Sequence, residues 1–76
     1  MNIKFEKEIG QNIRKIREKK GFTQDYMATQ FQLNDCDITR SAIAKIEVGQ
    51  RHIYPDEILL FKKILNCTFD EIFDND

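Results

Sequence analysis

Residues 21–49 read GFTQDYMATQFQLNDCDITRSAIAKIEVG, and their apolar side chains recur at the spacing of two short helices in tandem. The first helix of the pair begins near Thr23, whose hydroxyl can cap it, and Asp25 suits the positive end of its dipole. Its inward face consists of Met27, Ala28 and Phe31. These features predict a helix over about 23–32.

A polar break, Asn-Asp-Cys-Asp at residues 34–37, separates the two helices of the pair. Thr39 is the predicted N-cap of the second helix, and Gly49 supplies its stop. The buried face of this helix consists of Ala42, Ile43 and Ile46. The pattern predicts a helix over about 39–48, and two short capped helices in this order have the form of a helix-turn-helix.

The sequence before this pair predicts one longer helix, over about 4–20. Its apolar stripe has spacings of four, four and three residues, and consists of Phe5, Ile9, Ile13 and Ile16. Gly10 lies inside the helix, where it costs about 1 kcal/mol relative to alanine unless a neighbouring helix packs closely against it.

The sequence after the pair predicts two more helices, over about 55–65 and 68–73. Pro55 suits the first helical position of one, and Asn66 suits a left-handed stop at its end. Thr68-Phe-Asp-Glu has the capping-box pattern that begins the other. The prediction is an all-α, compact five-helix bundle that forms a single domain over residues 1–76.

Size and composition favour the same fold class. A chain of 76 residues buries only about 60% of the surface that its unfolded form exposes, which favours an economical helical core. Three glycines and one proline are few for a set of short strands. No apolar run approaches the ~18 residues of a membrane span, and the first ten residues lack the apolar core of a signal peptide. We therefore expect a cytoplasmic protein.

The sequence offers little equipment for catalysis or metal binding. Cys36 and Cys67 are far apart without a CxxC motif, and His52 is the single histidine, so neither metal nor redox spacing is present. There is no glycine-rich phosphate loop and no serine or cysteine nucleophile with a recognisable base nearby. We expect no enzymatic activity, no metal and no cofactor.

The charge of the chain is segregated along its length, although the net charge is only -1. Residues 1–20 carry seven Lys/Arg against three Asp/Glu, whereas residues 56–76 carry two against six. A basic first segment with an acidic last segment can present one positive face, and the face steers a charged partner more than the total does. A nucleic-acid partner therefore remains compatible with the composition.

The outward face of the helix over 39–48 carries the functional prediction. At 100° per residue, Ser41, Ala44, Lys45 and Val48 point away from the buried isoleucines. Arg40 occupies the exposed first turn. Small side chains on this face would let the helix approach base edges, Arg40 could bind a guanine in bidentate geometry, and Lys45 could reach a base or a phosphate. A solvated surface helix is the alternative at this point.

Three segments together resemble the phage-repressor and Cro type of helix-turn-helix domain, the XRE-like transcriptional regulators: IGQNIRKIREKKGFTQDYMATQF, ITRSAIAKIEVGQR and LNCTFDEIF. Independent features coincide in order, namely Gly-Phe-Thr-Gln at 21–24, Ala28 at the helix crossing, Lys-Ile-Glu at 45–47 and the closure at 66–71. The resemblance covers residues 9–73. It implies a lambda-repressor-like fold that binds DNA with the helix over 39–48.

The resemblance also implies roles for individual residues. The base-reading positions of the family correspond to Arg40, Ser41, Ala42 and Lys45. The positions that contact or face phosphate correspond to Gln24, Gln50, Arg51 and the helix starts at Thr23 and Thr39. Arg17 and Glu47 correspond to a structural ion pair that ties the first helix to the end of the recognition helix; losing one partner of such a buried pair costs about 3–5 kcal/mol.

The sequence departs from the family pattern between the two helices of the motif. About five extra residues, around 34–37, replace the usual tight turn. Extra length in a surface loop is thermodynamically mild, so we expect the recognition helix to remain docked. Asp35 and Asp37 would repel phosphate, and we expect them to point away from DNA or to serve a protein partner.

Leu60 and Ile64 form a second apolar strip on the helix over 55–65. Either the last helix covers this strip, or it is the contact of a homodimer that binds a two-fold operator in double-stranded DNA.

The prediction is a sequence-specific transcriptional regulator, a repressor, of bacterial or phage origin and associated with the nucleoid. The alternatives are an antitoxin-like module that binds a protein partner as well as its own promoter, and a restriction-modification controller. The neighbouring reading frame would distinguish them, because a small toxin favours the former and a nuclease with a methylase favours the latter.

Overall fold

Five helices make up the computed structural model, which describes residues 3–74. They are α1 (Ile3–Lys20), α2 (Gln24–Leu33), α3 (Arg40–Glu47), α4 (Pro55–Leu65) and α5 (Phe69–Phe73). There is no strand in the described residues, so the predicted all-α class is confirmed. Residues 1–2 and 75–76 of the predicted domain lie outside the described residues.

Threonine caps set where the short helices begin. The hydroxyls of Thr23, Thr39 and Thr68 accept N–H groups of the first turns of α2, α3 and α5 at 3.0–3.1 Å. Each threonine has an extended backbone, and the helix proper begins at the next residue. The predicted starts, which counted the cap as helical, were therefore one residue early at these three positions.

Left-handed residues set where α1, α3 and α4 end. Gly21 and Gly49 have φ of 77° and 78°, a region that residues with a Cβ rarely adopt, and Asn66 has φ of 51°. The predicted stops at Gly49 and Asn66 are confirmed. The short connections that follow these residues turn the helices back on one another.

All five helices contribute side chains to one hydrophobic core. Phe31 and Phe61 are fully buried and meet edge to face, with ring centroids 4.7 Å apart. The other apolar side chains with less than 2% exposure that complete its centre are Ile13, Met27, Ile43, Ile46, Leu65 and Ile72. The connections contribute Ile38 and Ile53 to the same core, which the helical spacing did not predict.

Gly10 marks the crossing of α1 and α3. A Cβ on Gly10 would overlap the carbonyl oxygen of Ile46 and would lie 3.2 Å from Cα of Glu47. The two helix backbones therefore meet directly, so a neighbouring helix does pack closely against this glycine. This contact brings α1 against the C-terminal half of α3, whose outer face is the candidate site.

The extended connection between α2 and α3 folds back onto the end of α2. Cys36 N–H donates to the carbonyl of Phe31 at 2.9 Å, and Asn34 Oδ1 accepts from Lys63 Nζ at 3.1 Å. Ile38, at the end of the connection, is buried in the core. These anchors hold α3 against α2, and both Asp35 and Asp37 are exposed.

No helix within residues 3–74 combines the length and the apolarity that crossing a membrane requires.

Candidate nucleic-acid interface

The two faces of α3 have opposite environments. Ile43, Ile46 and Glu47 are at most 1% exposed and hold the helix to the rest of the protein. Arg40, Ser41 and Lys45 are exposed, and Ala42 and Ala44 are half-buried at the margins. The helix thus presents two cations and small side chains on its outer face, while its position is fixed by the inner one.

A buried ion pair joins α1 to the end of α3. Arg17 Nε lies 2.7 Å from Oε2 of Glu47, and Arg17 Nη2 lies 3.1 Å from Oε1, which gives a bidentate pair. Arg17 Nη1 also donates to the carbonyl of Phe22 at 2.8 Å. The hydrogen bond to Glu47 raises the pKa of Arg17, partly offset by burial. The sequence-predicted partners are in contact, and both are almost fully covered.

Gln24 extends this network to the start of α2. Its Nε2 donates to Oε1 of Glu47 at 3.0 Å, so Glu47 receives hydrogen bonds from α1 and α2 together. This bond fixes which end of the Gln24 amide faces inward. Because the amide has a second N–H and a carbonyl oxygen, it keeps polar capacity for an outside partner.

Arg40 and Asp25 face each other across the starts of α3 and α2. Arg40 Nη1 lies 3.7 Å from Asp25 Oδ2, and the two side chains are 64% and 74% exposed. They form the rim of an open cleft of about 420 Å³ that Thr23 and Gln24 also line. So exposed a pair is weak, and Arg40 can leave it for a ligand. Both residues lie just after predicted caps, but the sequence did not reveal that they face each other.

The connection after α3 is organised by Arg51. Its Nη1 and Nη2 donate to the two carboxylate oxygens of Glu57 at 2.9 and 3.0 Å, and Nη1 also donates to the carbonyl of His52 at 2.8 Å. Burial alone raises the pKa of Glu57, but the hydrogen bonds from Arg51 and the N–H of Tyr54, with the Arg51 charge, lower it overall. Arg51, predicted to face phosphate, therefore has an internal partner that the sequence did not reveal. Gln50 beside it is exposed.

The predicted dimer strip on α4 is only partly available. Leu60 and Ile64 are half-buried and pack against the core, whereas Leu59 is 57% exposed. The side of α4 that remains open therefore includes Leu59 as well as the outer parts of Leu60 and Ile64.

A comparison with known protein families identifies the family to which this chain belongs. The chain matches the helix-turn-helix family over residues 13–72, a region that contains α2, α3 and α4 entirely. Because the match covers most of the chain, the protein belongs to that family, the XRE-type helix-turn-helix regulators, which bind DNA. The resemblance predicted from the sequence is thus confirmed. No curated protein and no solved structure matches the chain significantly.

Proposed function

We propose that this protein is a sequence-specific transcriptional repressor that reads the major groove of its operator with α3. The observation that carries the proposal is the division of α3 into a face that is locked into the core and a face that carries exposed Arg40, Ser41 and Lys45. A helix held on one side and polar on the other is the element that this family inserts into DNA. A fixed position of the helix matters because hydrogen bonds to base edges form only over a narrow range of distances and angles.

Reading is assigned to four residues of α3. Arg40 has a planar guanidinium that matches the N7 and O6 acceptors of guanine, and Lys45 reaches a base or a phosphate one turn further on. Ser41 can donate to or accept from a base edge, and the methyl of Ala42 suits the methyl of thymine. Small side chains at 41 and 42 also let the helix backbone come close to the bases.

Positioning is assigned to groups at the helix starts and after α3. Thr23 and Thr39 each cap one N–H group in the first turns of α2 and α3, and the N–H groups ahead of it lack partners within their own helices and suit phosphate oxygens. Gln24 and Gln50 offer amide donors beside them. Arg51 is held by Glu57, so we assign it chiefly to shaping the connection that carries Gln50. Such contacts fix register on the duplex without selecting sequence.

We further propose that two copies bind a two-fold operator, with the open side of α4 around Leu60 and Ile64 as the contact. One domain of this size buries too little DNA surface for tight specific binding on its own. Sedimentation of the protein with operator DNA should give two chains per duplex. A single chain per duplex at saturating protein would contradict the dimer and leave the reading assignment intact.

The direct test of DNA binding compares two duplexes of equal length. One carries the region upstream of the protein's own gene, and the other carries the same bases in scrambled order. Anisotropy titrations over 50–200 mM salt should show preference for the upstream duplex at every salt concentration and a steep loss of affinity with salt for both duplexes. Equal affinities for the two duplexes would contradict sequence-specific function.

Repression is tested separately in cells with a reporter fused to the same upstream region. Expression of the protein should lower the reporter signal, and Arg40→Ala with Lys45→Ala should restore it. An increase of the signal on expression would mean that the protein activates transcription, which would overturn the repressor assignment without affecting the DNA-binding one.

A further inference from the structure

The first turns of α1 lie ahead of the region that matches the family. The match begins at residue 13, whereas α1 begins at Ile3. These turns pack on the connection that follows the recognition helix. Glu6 Oε1 accepts the N–H of Ile53 at 3.3 Å and lies 2.6 Å from Nδ1 of His52. The N-terminal part of α1 is therefore fastened to the connection whose exposed Gln50 is assigned to DNA positioning.

Lys7 lies at the closest point of this contact. A Cβ on Gly49 would lie only 2.8 Å from both Cβ and Cγ of Lys7 and 3.1 Å from its Cα. The glycine, with its φ of 78°, thus lets the stem of Lys7 lie directly on the backbone between α3 and Gln50. Because the four-carbon stem begins on that backbone and the residue is exposed, its flexible end can carry the ammonium into solvent within reach of the end of α3.

No counter-charge is paired with Lys7 among the residues that the structure describes. The adjoining segment Val48-Gly49-Gln50 contains no carboxylate. The neighbouring Glu6 carboxylate faces Ile53 and His52 instead. Lys15 and Lys19 of the same helix differ, because they line a cleft that also contains the acidic Glu71 and Asp74. Lys7 therefore combines an exposed side chain with proximity to the candidate interface.

We propose that Lys7 binds a phosphate of the DNA backbone next to the one contacted by Gln50, so that α1 forms an additional edge of the interface. The inference rests on the proposed function. In the bound state, the ammonium replaces a condensed counterion, which adds one charge contact to those made by α2 and α3. The contact positions the duplex and selects no base, so it strengthens binding to all sequences alike.

The test compares Lys7→Gln with Lys15→Gln in the 76-residue chain, because each variant removes one positive charge from the same helix. Because Lys7→Gln should release one counterion fewer on binding, its plot of log affinity against log salt concentration should be less steep by about 0.9. The affinity deficit of Lys7→Gln should therefore shrink by about 3.5-fold between 50 and 200 mM salt, on upstream and scrambled duplexes equally. Lys15→Gln should leave the slope nearly unchanged, and Lys7→Arg should preserve it.

A second measurement does not depend on variants. Acetylation of lysine amines, followed by mass spectrometry, should show that bound DNA protects Lys7 and leaves Lys15 reactive. Equal salt slopes for the two glutamine variants, or equal acetylation of the two lysines with DNA bound, would overturn the inference about Lys7. The proposed function would still stand in that case if the wild-type protein bound the upstream duplex preferentially. If the wild-type protein bound neither duplex, both the inference about Lys7 and the proposed function would be overturned.

Discussion

Replacing Glu47 by alanine should destabilise the fold by about 3–5 kcal/mol, because it leaves a buried guanidinium without its carboxylate. Glu47 is 1% exposed, receives two hydrogen bonds from Arg17 at 2.7 and 3.1 Å, and receives a third from Gln24 at 3.0 Å. The free energy of unfolding of a 76-residue domain is about 4–11 kcal/mol at about 0.05–0.15 kcal/mol per residue, so the variant loses a large share of its stability.

Urea unfolding followed by circular dichroism measures this loss. The matched control is Glu18→Ala, which removes a carboxylate 3.5 Å from Arg14 in a pair that is about half exposed, and should cost less than about 0.5 kcal/mol. The double replacement Arg17→Met with Glu47→Leu removes both charges and should recover most of the loss. A loss below about 1 kcal/mol for Glu47→Ala would refute the claim that this pair locks α3 in place.

Three further predictions concern the crossing of α1 and α3, the dependence of stability on pH below neutrality, and Asp25 in the cleft beside Arg40. Gly10→Ala should lower the free energy of unfolding by about 1–3 kcal/mol in urea titrations, because α3 must move away from the new methyl; a neutral effect would contradict the close crossing. Glu57 has a pKa below its usual value of 4.5 in the folded state, so its contribution to stability is present above that pH and is lost as the pH falls through the folded pKa. Glu57→Gln should therefore flatten stability against pH on the acid side, and an unchanged acid limb would argue against the Arg51 pair. Asp25→Asn should raise affinity for upstream and scrambled DNA alike at about 50 mM salt, since it removes an exposed carboxylate that repels phosphate; unchanged affinity would place Asp25 away from the DNA.

The helices were predictable because their signals are local. Thr39 and Gly49 mark the ends of α3 through caps whose geometry depends on a few neighbouring residues, and the structure places both as expected. Gly10 was informative for a related reason. A glycine inside a strong amphipathic pattern has a cost that a close backbone contact explains, and that contact is present.

The contacts that were not predicted join residues that no single helical repeat relates to one another. Arg51 and Glu57 are six residues apart across a helix start, so no helical spacing brings them together before the turn is known. Ile38 and Ile53 lie in connections, where burial depends on how the chain bends rather than on a repeat. Lys7 and Gly49 are neighbours only because α1 runs past the end of α3. For these positions the fold had to be known before the site could be described.

The most direct test of the central claim is the ratio of affinities for the upstream and scrambled duplexes, measured at one salt concentration for three proteins. Wild type should prefer the upstream duplex by about 10³-fold or more. Arg40→Ala with Lys45→Ala should reduce that ratio at least about tenfold, because a good base contact contributes about 1–3 kcal/mol of discrimination. Lys15→Ala with Lys19→Ala removes the same charge from the cleft that contains Glu71 and Asp74, and should leave the ratio unchanged. Reading by α3 would be contradicted if the Arg40/Lys45 double variant kept the wild-type ratio. It would also be contradicted if the two double variants lowered the ratio equally.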